Sequence, residues 1–194
     1  VTNDYQIARE LEASPSIQTI LLGGIVKKGY HCVVAINGRS ILDTLNVDKA
    51  FMGANSLSLK HGACVADIML AETKRGMVEH ASQVIIVCDY SKLNNTSLAQ
   101  FTAADRIDTV VVDRLPDDVQ AYRNAGIQVI SLDEEATSSV LFRQRRTDPE
   151  YYSKGLGIAP RINPALEKVT ASPEYSAIKA RWIKASLIVA YRKD

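Results

Sequence analysis

The stretch VIIVCDYSK, residues 84–92, places five consecutive apolar residues directly before four polar ones. A short run that is continuously apolar, rather than alternating with polar residues, is typical of a β-strand buried on both faces. Comparable runs lie at residues 17–22, 50–52, 107–112 and 127–131. The first 132 residues therefore contain five predicted buried strands.

Segments with helical spacing of apolar residues separate these runs. Residues 4–13 and 66–81 each carry an apolar stripe opposite charged residues, and Met69 belongs to the stripe of the second segment. A third helix is expected between Pro116, which suits a first helical turn, and Gly126, which suits a helix end. Strands buried on both faces and connected by helices require crossover connections. The predicted fold class is therefore α/β, with a mainly parallel sheet flanked by helices.

Composition and charge limit the function classes. The chain has 194 residues, of which 46% are hydrophobic and 23% charged, and its formal net charge is +1. This supplies a core of ordinary size but no basic field for holding nucleic acid, so a strongly cationic DNA-binding surface is not expected. No apolar run reaches the roughly 18 residues that span a bilayer, and residues 1–5 lack the pattern of a signal peptide. A cytoplasmic protein without a membrane partner is predicted. Cys32, Cys64 and Cys88 are expected as reduced thiols, and neither a metal nor a cofactor is predicted.

The composition changes after Asp133, where prolines at positions 149, 160, 164 and 173 interrupt regular structure. The predicted organisation is a domain of residues 1–133, followed by a linker and C-terminal extension of residues 134–194. This extension is irregular until Ser172, the predicted N-cap of a terminal helix that includes Leu187. Within the domain, residues 30–36 are expected as a strand and residues 39–45 as a short helix.

Glycine and polar residues follow three of the predicted strands at the point where each strand ends. Ligands of open parallel sheets bind beyond the carboxyl ends of the strands, so these residues are the candidates for a ligand site. Glycine leaves its backbone N–H open to an oxyanion, and amide and hydroxyl side chains donate neutral hydrogen bonds. A lysine supplies a positive point charge, and an aspartate accepts hydrogen bonds from sugar hydroxyls. The combination predicts a site for a phosphorylated small molecule, formed by Gly23, Gly24, Gly53, Asn55, Asp89, Ser91 and Lys92.

Two parts of this prediction have an alternative. Gly23 and Gly24 fit a simple turn after a strand equally well. Glu72 is a further candidate for the ligand site. It shares a helix face with Ile68, Met69 and Gly76, so its carboxylate is expected to face the sheet edge, whereas a solvated charged face is the other interpretation. No Walker spacing, dinucleotide fingerprint or Gly-x-Ser-x-Gly turn occurs, and no catalytic residue is predicted.

In order and spacing, residues 1–132 resemble the C-terminal effector-sensing domain of bacterial DeoR-type transcriptional regulators. The resemblance rests on Val1-Thr2-Asn3 before a helix, Leu21-Leu22-Gly23-Gly24, DKAFMGA at residues 48–54, Gly62, Ala71-Glu72 with Lys74-Arg75 and Met77, Asp89-Tyr90-Ser91-Lys92-Leu93, and IDTVVVD at residues 107–113. An ordered set of this length is far more specific than any single motif.

The resemblance implies the NagB/RpiA/CoA-transferase-like fold, which is shared with sugar-phosphate isomerases and CoA transferases. It also implies a domain that binds a phosphorylated sugar or related metabolite and senses it rather than turning it over. By matching position, the resemblance assigns ligand binding to Gly23, Gly24, Gly53, Glu72 and Lys92, with Asp89 and Ser91 beside them.

In this family the bound metabolite changes the oligomer, and thereby the binding of a winged helix-turn-helix to its operator. The resemblance thus implies a homo-oligomeric transcriptional repressor that contacts DNA only through an N-terminal module outside the printed sequence. The family also places a phosphate loop of the Asp-Ser-Gly-Thr-Thr type ahead of the segment that matches Val1. This chain has Ala63-Cys64-Val65 where the family usually carries Thr-Thr, so weaker effector binding is expected.

Two alternatives remain open on the sequence alone. A sugar-phosphate isomerase-like enzyme of the same fold would use Glu72, Asp89 and Lys92 for proton transfer. An oligomerisation remnant would instead form dimers or tetramers without any response to a ligand.

Overall fold

The computed structural model describes residues 1–15, 17–34 and 41–131, together with the backbone of residues 186–189. In chain order, the helices and strands are α1 (Tyr5–Glu12), β1 (Ile25–Lys27), β2 (Cys32–Val34), β3 (Val47–Gly53), β4 (Ser56–Ser58), β5 (Gly62–Val65), α2 (Ile68–Glu79), β6 (Ala81–Cys88), β7 (Ala99–Thr102), β8 (Thr109–Val112), α3 (Val119–Asn124), β9 (Gln128–Ser131) and β10 (Ser186–Val189). Short 3-10 turns occupy Leu42–Thr44, Tyr90–Lys92 and Ala104–Arg106.

The centre of the fold is a five-stranded sheet in the order β10–β3–β6–β8–β9. β3, β6, β8 and β9 run parallel, and β10 is antiparallel to β3. The parallel registers pair Gly53 with Val87, Cys88 with Val112 and Val112 with Ser131. The carboxyl ends of the four parallel strands therefore lie side by side. The predicted α/β class with a mainly parallel sheet is confirmed.

Four of the five predicted strands are found in this sheet, because the continuous apolar runs at residues 50–52, 84–88, 107–112 and 127–131 coincide largely with β3, β6, β8 and β9. Their inward side chains form the core: Met52, Val84 and Ile86 are fully buried, and Val110 is almost so. α2 packs against β3 and β6, and α3 packs against β9, so helices cover the apolar sheet as the crossover connections require.

Aspartates cap the two longer helices. The Oδ1 atom of Asp4 accepts hydrogen bonds from the backbone N–H groups of Gln6 and Ile7, and the Oδ1 atom of Asp67 accepts one from Leu70. The prediction that Met69 lies on the buried stripe of α2 is wrong, because Met69 is 44% exposed. The stripe that faces the core consists of Leu70, Ala71, Thr73, Lys74, Met77 and Val78. Within the part of the chain that the structure describes, none of the helices has the length and apolar character that a membrane span requires.

Two small antiparallel sheets add strands that the apolar runs do not predict. One pairs β1 with β2, and the other has the order β4–β5–β7. Strands of three or four residues are too short for a periodic pattern, so tertiary pairing decides that they form. The strand expected at residues 30–36 is present as β2, and the 3-10 turn Leu42–Thr44 lies within the short helix expected at residues 39–45. Residues 35–40 lie outside the described part.

The prediction of a buried strand at residues 17–22 is corrected by the structure. These residues form a single parallel bridge, between Thr2 and Leu21, and they do not belong to the main sheet. The reason is their backbone bonding, since Thr2 donates to the Ile20 carbonyl and accepts from the Leu22 N–H.

The C-terminal extension is corrected at one point. Leu187 belongs to β10 and not to a terminal helix, because residues 186–189 pair in an extended conformation with residues 49–52 of β3. The rest of the predicted linker and helix lies outside the described residues.

Candidate functional site

The turn after β3 brings two predicted residues to the carboxyl edge of the main sheet. Gly53 is the last residue of β3 and is buried, and Asn55 follows two positions later. The Asn55 N–H donates to the Cys64 carbonyl at 2.9 Å, and its Oδ1 atom accepts from the Ala66 N–H at 3.2 Å. Among the described residues, the Nδ2 group of Asn55 has no hydrogen-bond partner, so it remains available as a donor to a ligand.

The turn after β6 holds the three other polar residues predicted at this edge. Asp89 caps the 3-10 turn Tyr90–Lys92: its Oδ1 atom accepts from the Ser91 N–H at 2.9 Å and from the Ser91 hydroxyl. The Lys92 Nζ atom lies 3.9 Å from Asp89 Oδ2, and the Lys92 side chain is 33% exposed. Asp89 therefore orders the turn and orients Lys92, while the ammonium group stays accessible.

Residues after β8 complete this edge, and the sequence analysis missed them. The Tyr90 N–H donates to Asp113 Oδ1 at 2.7 Å, which connects the end of β6 to the end of β8. The Arg114 guanidinium stacks on the Tyr90 ring at 3.9 Å from the ring centroid. Arg114 is thus a second cation at the carboxyl edge. The rule that singled out Asp89 after β6 would also have found Asp113 and Arg114 after β8.

A buried lysine contacts the same edge from α2. Lys74 is 1% exposed, and its Nζ atom donates to the Gly53 carbonyl oxygen at 2.8 Å. Its Nζ atom also lies 5.4 Å from the centroid of the Phe101 ring. Burial lowers the pKa of Lys74 to about 7. The sequence shows Lys74 between Glu72 and Arg75, a pattern that indicates a solvated face, so no local signal distinguishes it.

Glu72 does not face the sheet edge, contrary to the expectation from its helix face. The neighbours on that face, Ile68 and Met69, are 63% and 44% exposed. The Glu72 side chain is 57% exposed and forms an ion pair with Arg75, which in turn donates to the Gln100 carbonyl at 2.7 Å. Glu72 and Lys74 are two positions apart, about 200° around a helix, so Glu72 points away when Lys74 points to Gly53.

Gly23 and Gly24 lie in the N-terminal part of the chain. They follow Leu22, are exposed, and lead into β1, which pairs only with β2 and not with the main sheet. They therefore lie outside the main sheet. Their assignment to the ligand site stays a prediction, as does the alternative of a simple turn.

We use the name carboxyl-edge site for the predicted residues that the structure brings together: Gly53, Asn55, Asp89, Ser91 and Lys92. Neighbouring strands of a sheet are about 4.8 Å apart, so the turns after β3 and β6 are within reach of one small molecule. The site offers an ammonium group, an amide donor and one carboxylate. In the described ranges, no group of three His, Cys, Asp or Glu side chains is placed to hold a metal ion.

Comparison with known proteins identifies the domain. The profile of the family described as the DeoR C-terminal sensor domain matches residues 1–114, more than half of the chain. This match includes every residue of the carboxyl-edge site.

Several transcriptional regulators are similar to the chain. The HTH-type transcriptional repressor GlcR of Bacillus subtilis (strain 168) is 34% identical over 116 residues, which cover 60% of this chain and 45% of GlcR. The HTH-type transcriptional regulator IolR of the same strain is 30% identical over 125 residues, which cover 64% of this chain and 50% of IolR. The HTH-type transcriptional regulator GlpR of Haloferax volcanii is 30% identical over 132 residues, which cover 67% of this chain and 51% of GlpR.

The chain spans about half the length of these curated relatives. The expectation of a sensing domain rather than an enzyme is confirmed by the family match and by the similarity to transcriptional regulators. The chain belongs to the family of DeoR C-terminal sensor domains.

Proposed function

We propose that the carboxyl-edge site binds a phosphorylated sugar or a related anionic metabolite as the effector of a transcriptional regulator. One observation carries the proposal: β6 ends next to β3 in the sheet, and Asp89 orders the turn after β6 that contains Ser91 and Lys92. Lys92 follows a buried strand, lies 3.9 Å from one carboxylate and has a partly accessible side chain. A lysine in this setting is better suited to binding an anion than to forming a purely structural ion pair.

Different side chains of the site suit the anionic group and the hydroxyl groups of a sugar phosphate. Lys92 supplies the charge that attracts a phosphate group, and the Asn55 amide donates a neutral hydrogen bond next to it. The second oxygen of Asp89 accepts from a sugar hydroxyl, since Asp89 Oδ1 already accepts from Ser91. Arg114 lies at the same edge and adds positive potential. Gly23, Gly24 and Glu72 stay predictions of the family resemblance, without support from their positions in the structure.

The role of the whole protein follows from the relatives by analogy. GlcR, IolR and GlpR are named as HTH-type regulators, so we infer that the sensor domain controls operator binding by a separate DNA-binding module. We also propose the organisation predicted above, with the sensor in residues 1–133 and an extension in residues 134–194. Exposed apolar side chains such as Ile17, Leu21 and Val26 support a homo-oligomer.

The proposal is tested by thermal unfolding in the presence of phosphorylated sugars, with glucose 6-phosphate, fructose 1-phosphate and N-acetylglucosamine 6-phosphate among the compounds. A ligand at about 100 times its dissociation constant stabilises the folded state by about 2.7 kcal/mol, which shifts the melting temperature measurably. Lys92→Ala should abolish most of this shift, because the anion loses its main cationic partner.

The matched control is Lys60→Ala, which removes an exposed lysine in the turn between β4 and β5. It should leave the ligand-induced shift unchanged. Unphosphorylated glucose should give no shift, because it lacks the anion. Absence of a response to every phosphorylated compound, or equal shifts in wild type and Lys92→Ala, would contradict the proposed site.

A further inference from the structure

The buried Lys74 contacts Gly53, a residue of the carboxyl-edge site. Its side chain is in the core, and its Nζ–H bond to the Gly53 carbonyl joins α2 to the end of β3. Lys74 also lines a small pocket, together with Gly53, Asn55, Tyr30 and Leu70. Gly53 and Asn55 of the site thus line the same pocket as the buried amine of Lys74. A ligand bound to the turn after β3 therefore lies close to a buried amine.

Among the described residues, the titratable groups that act on Lys74 include a thiol and a carboxylate, Cys32 of β2 and Asp4 at the start of α1. The Lys74 side chain also packs against the Phe101 ring of β7. Burial raises the pKa of the Cys32 thiol, which is therefore neutral near pH 7. Burial lowers the pKa of Lys74 itself to about 7, and Asp4 opposes this shift. Near neutral pH the amine exchanges between its neutral and charged forms.

We infer that Lys74 is a positioning residue of the carboxyl-edge site, and that an anion bound at the turn after Gly53 draws a proton from solvent onto the Lys74 amine. The inference rests on the proposed function and adds its regulation by pH. In a low-dielectric interior, a nearby negative charge favours the protonated, charged form of a base. The resulting ammonium makes a stronger hydrogen bond to the Gly53 carbonyl, which holds the turn in its binding conformation.

Linkage makes the effect reciprocal. If the anion favours protonation of Lys74, protonation of Lys74 favours the anion by the same factor. The affinity for a given anion therefore rises as the pH falls through about 7, the value to which burial lowers the pKa of Lys74. In the opposite direction, binding at pH 8 takes up a proton from the buffer.

Calorimetric titration from pH 6.5 to 8.5 tests this linkage. The probes are the compound of the sugar-phosphate series that gives the largest thermal shift and inorganic sulfate, which stays a dianion throughout this range. Wild-type affinity should fall roughly tenfold from pH 6.5 to pH 8.5. Lys74→Met should bind weakly at every pH, and Lys74→Arg, which stays charged, should not weaken as the pH rises. Any change in the protonation of the sugar phosphate itself affects wild type, Lys74→Met and Lys74→Arg equally.

A second readout measures the proton directly. Titrations at pH 8 in buffers of different ionisation enthalpy should show wild type taking up more than half a proton per ligand beyond the uptake seen with Lys74→Met. Lys92→Ala is the matched comparison: it should weaken binding at every pH but keep the slope of affinity against pH, because Lys74 is intact.

Urea denaturation checks that the variants fold and that Lys74 titrates. Met is apolar and close to Lys in size, so Lys74→Met should fold. Because the folded-state pKa of Lys74 lies below its unfolded value, the penalty for burying the charge is present below pH 7 and disappears as the pH rises toward 10. Wild type should therefore gain stability relative to Lys74→Met over this range.

The possible failures are distinct. If no compound binds wild type at any pH, the proposed function is wrong and this inference is wrong with it. If wild type binds with the same pH dependence and proton uptake as Lys74→Met, the ligand site stands and only the role of Lys74 is overturned.

Discussion

At the scale of single residues, Gly62 shows how close packing restricts one position to glycine. Gly62 has φ +61°, and a Cβ atom there would lie 2.1 Å from the Thr102 carbonyl oxygen. Gly29 has φ +79°, but a Cβ atom there would meet nothing within 4 Å, so it isolates the cost of the backbone conformation. Gly29→Ala should lower the free energy of unfolding by about 1 kcal/mol, and Gly62→Ala by about 3 kcal/mol or more, since β5 and β7 must also separate. Equal losses in urea denaturation would contradict this account.

Residue chemistry also explains why the site could be predicted only in part. Asp89, Ser91 and Lys92 follow a long apolar run, so their place at a strand end is visible in the printed sequence. Lys74 has no such marker, because a charged residue in a helix normally points to solvent. Its burial depends on which face of α2 meets β3, and this is decided by packing.

At the scale of elements, the start of α2 depends on Asp67. Its Oδ1 atom caps the helix at Leu70, and its Oδ2 atom pairs with Lys27 of β1. Asp67→Ala should lower the free energy of unfolding by about 1 kcal/mol, as for other N-cap removals, and Asp67→Asn by less, because an amide oxygen still caps. Chemical denaturation measures both. Asp117→Ala, an exposed aspartate in the turn before α3, is the control and should change little.

The same element has a defined pH dependence. The hydrogen bond from Lys27 holds the pKa of Asp67 below its usual value, so the folded state favours the carboxylate. The stability that Asp67 contributes is present above pH 4 and is lost as the pH falls through its lowered folded-state pKa. The difference between wild type and Asp67→Ala should therefore shrink below pH 4, and a difference that grows there would contradict the ion pair.

At the scale of the whole molecule, β10 closes one edge of the main sheet. Residues 186–189 pair with residues 49–52, more than 130 positions earlier in the chain. A chain that ends at residue 133 should leave β3 as an open edge, and open edges exchange amide hydrogen rapidly and associate. Hydrogen exchange should accelerate at the β3 amides that face away from β6, and light scattering should show larger species.

Leu187→Pro in the full chain is the matched variant, because proline cannot donate to a strand ladder and disturbs its pairing. It should reproduce the faster exchange of β3, whereas the amides that pair β8 with β9 should keep their protection. Unchanged protection of β3 in both proteins would mean that β10 does not cover this edge in solution.

The sequence by itself determined the parallel strands β3, β6, β8 and β9, the approximate spans of the three helices, and the polar turn at residues 89–92. These features are local, since a continuous apolar run or a 3.6-residue spacing is contained within one segment. Only the tertiary structure decided that Lys74 and not Glu72 reaches Gly53, that residues 17–22 lie outside the main sheet, and that Leu187 is in a strand. Each of these depends on contacts between segments far apart in the chain, whose free energies outweigh local preference.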